Sequence, residues 1–374
     1  MSRQLYAASK IFTGEQLLKD HAIEVENNII INVQPVDHYP DFPMDNFYTD
    51  ALIVPAFIDI QLYGAFGRLL SVFPDKETVS AIYEYSKNGG AAYCIPTVAT
   101  NSYPVFFRCI DVIRDYWNSG GKGVMGLHIE GPWISEAKKG AHISKYIFSP
   151  TIQQVNELLD YGKDVVKIIT LAPEVVDPEV IQYIQMQGIV ISAGHSNANY
   201  KKATQVFNDC NIPTATHLYN AMSPLLHREP GIVGAIFDDE KIMASIVPDG
   251  HHVDFAAIRI AKKIMKNRLF AITDAVTETN IGDYPHHLDN DKYIANGILS
   301  GSALTMEKCL QNLVREVGID LEEALRMCSF YPAQAIGKST ILGKIAVGYK
   351  AKLTLLNNNI EVVTVLDEES DKYS

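Results

Sequence analysis

The chain has 374 residues, 47% of them apolar and 20% charged, and a formal net charge of −12. That content supplies one large core with a small appendage and excludes general disorder. The acidic balance argues against a nucleic-acid partner, which would require a basic face to neutralise phosphates, but one pocket arginine still suffices for a small anionic ligand.

From the N-terminus, Met1 to Gln16 has no apolar signal core, and no run in the chain approaches the ~20 residues needed to cross a bilayer. Residues 1–54 alternate short apolar runs such as Asn28-Ile29-Ile30-Ile31-Asn32-Val33 with turn residues, which predicts short strands. Strand and helix then alternate. Apolar strands are predicted near 56–61, 91–97, 124–130, 165–171, 188–194, 213–218, 242–247 and 269–274. Helices are predicted over 75–88, 103–117, 151–161, 178–187, 198–209, 254–266 and 305–317, with Asp254 and Thr305 as caps and Pro150 and Pro178 near helix starts. Such alternation favours a closed (β/α)₈ barrel over an open sheet. The last stretch is strand-like again, so 1–54 plus 343–374 form one small sheet domain and 55–342 the barrel. The five cysteines, Cys94, Cys109, Cys210, Cys309 and Cys328, lack metal-finger spacing. Reduced structural thiols and a cytoplasmic location are expected.

In a barrel the chemistry sits at the C-terminal ends of the strands. Gln61, Glu130, His195, His217 and Asp274 each end a predicted strand, and His251-His252 follow one. Glu130, His195 and His217 are candidate ligands for one divalent metal, Zn²⁺ or Fe²⁺, with a position left for water; the alternative is that each merely closes its strand. Asp274 is a candidate proton acceptor and donor, or else a turn residue. Arg228, in His227-Arg228-Glu229-Pro230-Gly231, is placed to grip a phosphate or carboxylate, or else to pair with Glu229. His142 and His252 lie in polar loops, and Leu299-Ser300-Gly301-Ser302-Ala303 reads as a turn or a pocket wall. No P-loop, nucleophile elbow or dinucleotide fingerprint is present.

Several longer motifs, in order along the chain, resemble the N-acetylglucosamine-6-phosphate deacetylase family of the amidohydrolase superfamily. They include Gly126-Leu127-His128-Ile129-Glu130-Gly131-Pro132-Trp133, Gly194-His195-Ser196-Asn197-Ala198, Thr216-His217-Leu218-Tyr219-Asn220-Ala221-Met222, Asp249-Gly250-His251-His252-Val253, Thr273-Asp274-Ala275 and Leu299-Ser300-Gly301-Ser302-Ala303-Leu304-Thr305-Met306. The resemblance implies a (β/α)₈ barrel with a small β-sandwich built from both termini. It also implies removal of the N-acetyl group from an amino-sugar 6-phosphate. Glu130, His195 and His217 would hold the metal, Zn²⁺ ahead of Fe²⁺, and Asp274 would be base and acid. His142 would polarise the acetamide carbonyl, Asn220 and Ala221 would contact substrate, and Arg228 and His252 would bind the phosphate. It further implies a homodimer, with the phosphate site completed across the subunit boundary.

Two departures stand out. Many amidohydrolases carry His-x-His in the first barrel strand for a second metal, where this chain has Gln61 and Tyr63; Gln is a poor zinc ligand and Tyr an uncommon one, so one metal is expected. The loop following Asp274-Ala275-Val276-Thr277-Glu278 is atypical and bears on the lid or acyl pocket. The rival readings are an N-acetylgalactosamine-6-phosphate deacetylase and, less favoured because all four chemical residues are present, an inactive amidohydrolase-fold scaffold.

Overall fold

A computed structural model of the chain describes residues 3–40 and 47–366. Positions 1–2, 41–46 and 367–374 of the expected small sheet domain lie outside the described residues. Contacts group Met1–Asp59, Ser86–Tyr93 and Thr305–Ser374 into one unit, and Ile60–Tyr85 with Cys94–Leu304 into a second.

Eight parallel strands form one sheet in sequence order: Phe57–Leu62 (β1), Ala91–Ala99 (β2), Leu127–Glu130 (β3), Val166–Leu171 (β4), Val190–Ala193 (β5), Thr214–Ala215 (β6), Met243–Ile246 (β7) and Leu269–Ala271 (β8). The sheet closes on itself just beyond the strand ends. Asp274 N–H donates to the Gln61 carbonyl at 2.9 Å and Tyr63 N–H donates to the Ala275 carbonyl at 2.8 Å. These bonds complete the barrel and fix Asp274 at its rim.

The strands are short and apolar because both faces are covered, as a parallel sheet requires; Ile129, Ile169, Ile191 and Phe270 are fully buried. Several helices begin where side chains satisfy the free N–H groups of their first turns. Thr151 and Gln154 make a capping box at Ile152–Gly162. Asn199 caps Tyr200–Cys210, Asp254 caps Phe255–Met265, and Thr305 caps Met306–Arg315.

Both termini feed a second sheet of six strands. In it Arg3–Phe12 pairs in parallel with Phe47–Pro55, which pairs antiparallel with Leu353–Asn357. Ile11, Ile23, Ile53 and Leu353 pack within its core. The five cysteines are buried and unpaired. Among the described residues no helix is long and apolar enough to cross a membrane.

The barrel makes one packing prediction. Replacing Phe270 with Ala should cost about 3–5 kcal/mol, through lost burial and the cavity left behind. Thermal unfolding should report this as a lowered midpoint; an unchanged midpoint would mean that β8 is not under packing constraint.

Candidate metal centre and active site

All the side chains of the site lie in the unit formed by Ile60–Tyr85 and Cys94–Leu304. Glu130 ends β3 and is 1% exposed. His195 follows β5 and His217 follows β6. Both adopt positive φ, +47° and +36°, as does Asp274 after β8 at +55°. Non-glycine residues hold this region at a cost of order 1–3 kcal/mol each, sustained only where surrounding contacts enforce it. Those contacts are visible. His217 N–H donates to Ser245 Oγ at 2.8 Å, and the His195 carbonyl accepts from Ser135 N–H at 2.9 Å. The turn after His195 is held by Glu174, whose carboxylate accepts from the Ser196 hydroxyl at 2.7 Å and from Asn197 N–H at 2.6 Å.

The three candidate ligands converge. Glu130 Oε1 lies 3.2 Å from His195 Nε2 and 2.9 Å from His217 Nε2, and the two nitrogens are 3.1 Å apart. Donor atoms on a tetrahedral shell of radius ~2.0–2.1 Å around Zn²⁺ stand ~3.3 Å apart, so the triangle has the right size for one ion. The chemistry agrees. His195 Nδ1 meets the Lys138 carbonyl at 2.9 Å; a carbonyl only accepts, so Nδ1 carries a proton and Nε2 is the nitrogen left to face a metal. These three residues form a buried group whose donor atoms can hold a metal ion.

Further polar groups surround this triangle. Gln61 Nε2 donates to Glu130 Oε1 at 3.1 Å and to Asp274 Oδ1 at 2.8 Å. The Tyr63 hydroxyl donates to Glu130 Oε2 and lies 3.4 Å from Asp274 Oδ1. His142 Nε2 is 3.5 Å from Glu130 Oε2, while its Nδ1 meets Thr100 Oγ1 at 2.6 Å. Below them His128 contacts Thr170 Oγ1 at 2.8 Å, and Thr170, Thr216 and Ser192 continue a chain of hydroxyls at 2.7 and 2.6 Å.

Burial alone would suppress the charge of Glu130, but His142, His195 and His217 outweigh it and hold the carboxyl well below its ordinary range. Burial raises Asp274 above the usual carboxylate value; His217 opposes the rise and Glu130 adds to it. Burial pushes the His142 imidazole down to about 4, so the ring is neutral near pH 7. One carboxylate is thus kept ionised while its neighbour is moved towards the range where a proton can be exchanged.

A cavity of about 250 Å³ opens over this cluster. It brings together eight of the residues singled out from the sequence: Glu130, His195, His217 and Asp274, together with His142, Asn220, Ala221 and His252. His252 N–H and its Nδ1 both contact the Asp249 carboxylate, at 2.7 and 2.6 Å. Arg228 is not among the lining residues; it is exposed, with Nε 3.0 Å from His227 Nε2. Tyr284, His286, Ser71 and Glu174 carry no motif of their own in the sequence. Tyr284, His286 and Ser71 line the cavity, and Glu174 acts through the His195 turn.

The model of the amidohydrolase family matches residues 52–368. The chain belongs to the amidohydrolase family. A Haemophilus influenzae N-acetylglucosamine-6-phosphate deacetylase is 32% identical over 364 residues, 94% of this chain and 95% of that protein. An Escherichia coli O157:H7 N-acetylgalactosamine-6-phosphate deacetylase is 28% identical, covering 95% of each. The crystal structure of the Pasteurella multocida N-acetylglucosamine-6-phosphate deacetylase superposes with a TM-score of 0.90 at 34% identity, over 97% of this chain and 98% of that one. This amidohydrolase is therefore a hydrolytic enzyme of the amide-cleaving class, with a buried Glu/His/His group suited to a divalent metal.

Glu174 provides a test of the site's construction. Glu174→Ala removes both carboxylate bonds to the turn after His195, and metal affinity should fall about 10–100-fold, the usual cost of losing support behind a ligand. Competition against a chelator dye measures this, and unchanged affinity would free the turn from that role.

Proposed function

We propose that this amidohydrolase removes the N-acetyl group from N-acetyl-D-glucosamine 6-phosphate, giving D-glucosamine 6-phosphate and acetate, in amino-sugar breakdown. The observation that carries the reading is the Glu130/His195/His217 triangle beside the raised carboxyl of Asp274. The named relatives supply the substrate class.

Glu130, His195 and His217 hold one divalent metal per subunit, Zn²⁺ ahead of Fe²⁺. When bound, such an ion supplies Lewis acidity and lowers the pKa of a coordinated water from ~16 towards ~7. Gln61 and Tyr63 stand where a second metal's histidines would be, with hydrogen bonds directed at Glu130 and Asp274. The expected count is therefore one.

Asp274 takes the proton of the attacking water and returns it to the departing amine. Its raised carboxyl narrows the gap between the two tasks. Thr100 Oγ1 lies 2.6 Å from His142 Nδ1. In the tautomer that carries its proton on Nε2, the neutral ring donates to the acetamide carbonyl as charge grows on its oxygen. One such donor is typically worth ~3–4 kcal/mol. Asn220 and Ala221 position the sugar, and His252, oriented by Asp249, takes part in phosphate binding.

No lysine or arginine is found among the described residues lining the cavity, which leaves the 6-phosphate short of positive charge. Arg228, exposed and bonded only to its neighbour's ring among the interactions seen, is free to serve that phosphate in a second subunit. A homodimer with Arg228 completing its partner's site resolves both observations. A cytoplasmic enzyme accords with the buried, unpaired cysteines.

Two outcomes test the reading. Asp274→Asn should retain its metal while turnover falls about 10²–10⁴-fold, the scale of acid–base catalysis; near-normal acetate release would remove Asp274 from the mechanism. Arg228→Ala should raise KM for the phosphorylated sugar and reduce its advantage over plain N-acetylglucosamine. An unaltered preference would place the phosphate elsewhere.

A further inference from the structure

Beyond Asp274 the chain leaves the barrel for a three-stranded antiparallel sheet, His287–Asp289, Lys292–Ala295 and Ile298–Ser302. Its last strand returns to the base. Ser302 N–H donates to the Asp274 carbonyl at 2.9 Å, and Val276 N–H donates to the Ser302 carbonyl at 3.1 Å. Gly301 adopts φ +70°, and a Cβ there would stand 3.0 Å from the Asp274 carbonyl oxygen, so this strand passes too close for a larger residue.

Just before the sheet, His286 is fixed by two backbone hydrogen bonds with Thr279, of 2.9 and 3.0 Å. The residue is 4% exposed, and its ring stands edge-on to Tyr293 at 6.4 Å. Its Nε2 meets Ser300 Oγ at 3.0 Å, and both residues line the cavity containing Glu130 and Asp274. Around them that wall is apolar, with Val276, Ile298, Leu299 and Gly301. Burying an imidazole in such a wall costs free energy unless its polar atoms are used. Burial pushes this ring down to about 4, so it is neutral and offers one donor and one acceptor. Hydrogen-bonded to a serine, the pair can both give and take a proton in hydrogen bonds. A ligand hydroxyl has the same two-way character; an anion does not.

We propose that His286 and Ser300 form a specificity subsite that reads the C3–C4 hydroxyl edge of the substrate ring. This rests on the deacetylase reading above. With the C2 acetamide at the metal centre and the C6 phosphate at the other end, two ring edges remain. One carries the C3 and C4 hydroxyls, whose directions are set by configuration. The other carries the ring oxygen and the anomeric hydroxyl, whose direction changes as the sugar opens and recloses in water. A pair held by backbone bonds and a ring contact discriminates best against a fixed hydroxyl, because a missing or misdirected partner leaves it unsatisfied.

The test is a cycle of enzymes against substrates. Wild type, His286→Leu and Ser300→Ala are each assayed for acetate release. The substrates are N-acetylglucosamine 6-phosphate, its 3-deoxy and 4-deoxy analogues, and N-acetylgalactosamine 6-phosphate. Each variant should lose about tenfold in kcat/KM on the parent substrate, the scale of one hydrogen bond. On the deoxy analogue that lacks the hydroxyl being read, the same variants should lose less than about twofold, since the interaction is already gone. Equal losses on all four substrates would show a merely structural role and overturn the proposal, as would an undiminished rate on the parent. Ser300→Ala removes a single oxygen and keeps the test open should His286→Leu fail to fold. If wild type, loaded with metal, releases acetate from none of the four, the deacetylase reading falls and this proposal with it. Loss confined to the variants separates the two failures.

Discussion

A carboxylate buried to 1% exposure cannot remain charged unless its surroundings compensate it. Glu130 is that carboxylate, and most of the barrel's polar architecture answers to it. Imidazoles from three loops, the Gln61 amide and the Tyr63 hydroxyl all converge on its two oxygens. The same convergence makes a group that can hold a metal ion, because the nitrogens that stabilise the charge are drawn close to one another. Closure of the barrel adds the second carboxylate: the bond from Asp274 N–H to the Gln61 carbonyl joins β8 to β1 and sets Asp274 at the rim.

Positive φ at His195, His217 and Asp274 shows how the strands end. An extended strand would continue outward and carry each side chain away from the axis. A left-handed residue turns the chain at once and leaves the side chain over the barrel mouth. The strain is offset by the bonds from Ser135, Ser245 and Gln61, each supplied by another segment of the barrel. The site is therefore held by the fold as a whole, in keeping with chemistry placed at the C-terminal ends of barrel strands.

Much of this was legible in the sequence because buried parallel strands are written as short apolar runs, and all eight lie where those runs predict. The caps at Asp254 and Thr305 were legible for the same local reason. Gly231–Asp238 was not: its residues are apolar nearly all round and mostly buried, so no helical period marks it. The strands at 287–302 escape prediction because they are short, mostly exposed or half-buried, and show little alternation to read. Glu130, His195, His217 and Asp274 announce themselves by ending apolar runs. Glu174 and His286 are bonded to partners about 22 and 14 positions away in sequence, and spacing alone carries no trace of such contacts. Arg228 is a different case, since its loop motif is plain while its place outside the cavity emerges only from the fold.

The central claim is that Glu130, His195 and His217 hold a single catalytic metal beside Asp274. Anomalous diffraction from crystals of the zinc-loaded protein, measured on both sides of the zinc edge, addresses it without reference to turnover. The account predicts one peak per subunit, about 2.0–2.2 Å from one Glu130 oxygen and the Nε2 atoms of His195 and His217. A second peak against Gln61 and Tyr63, or zinc bound elsewhere with this triangle left empty, would contradict it.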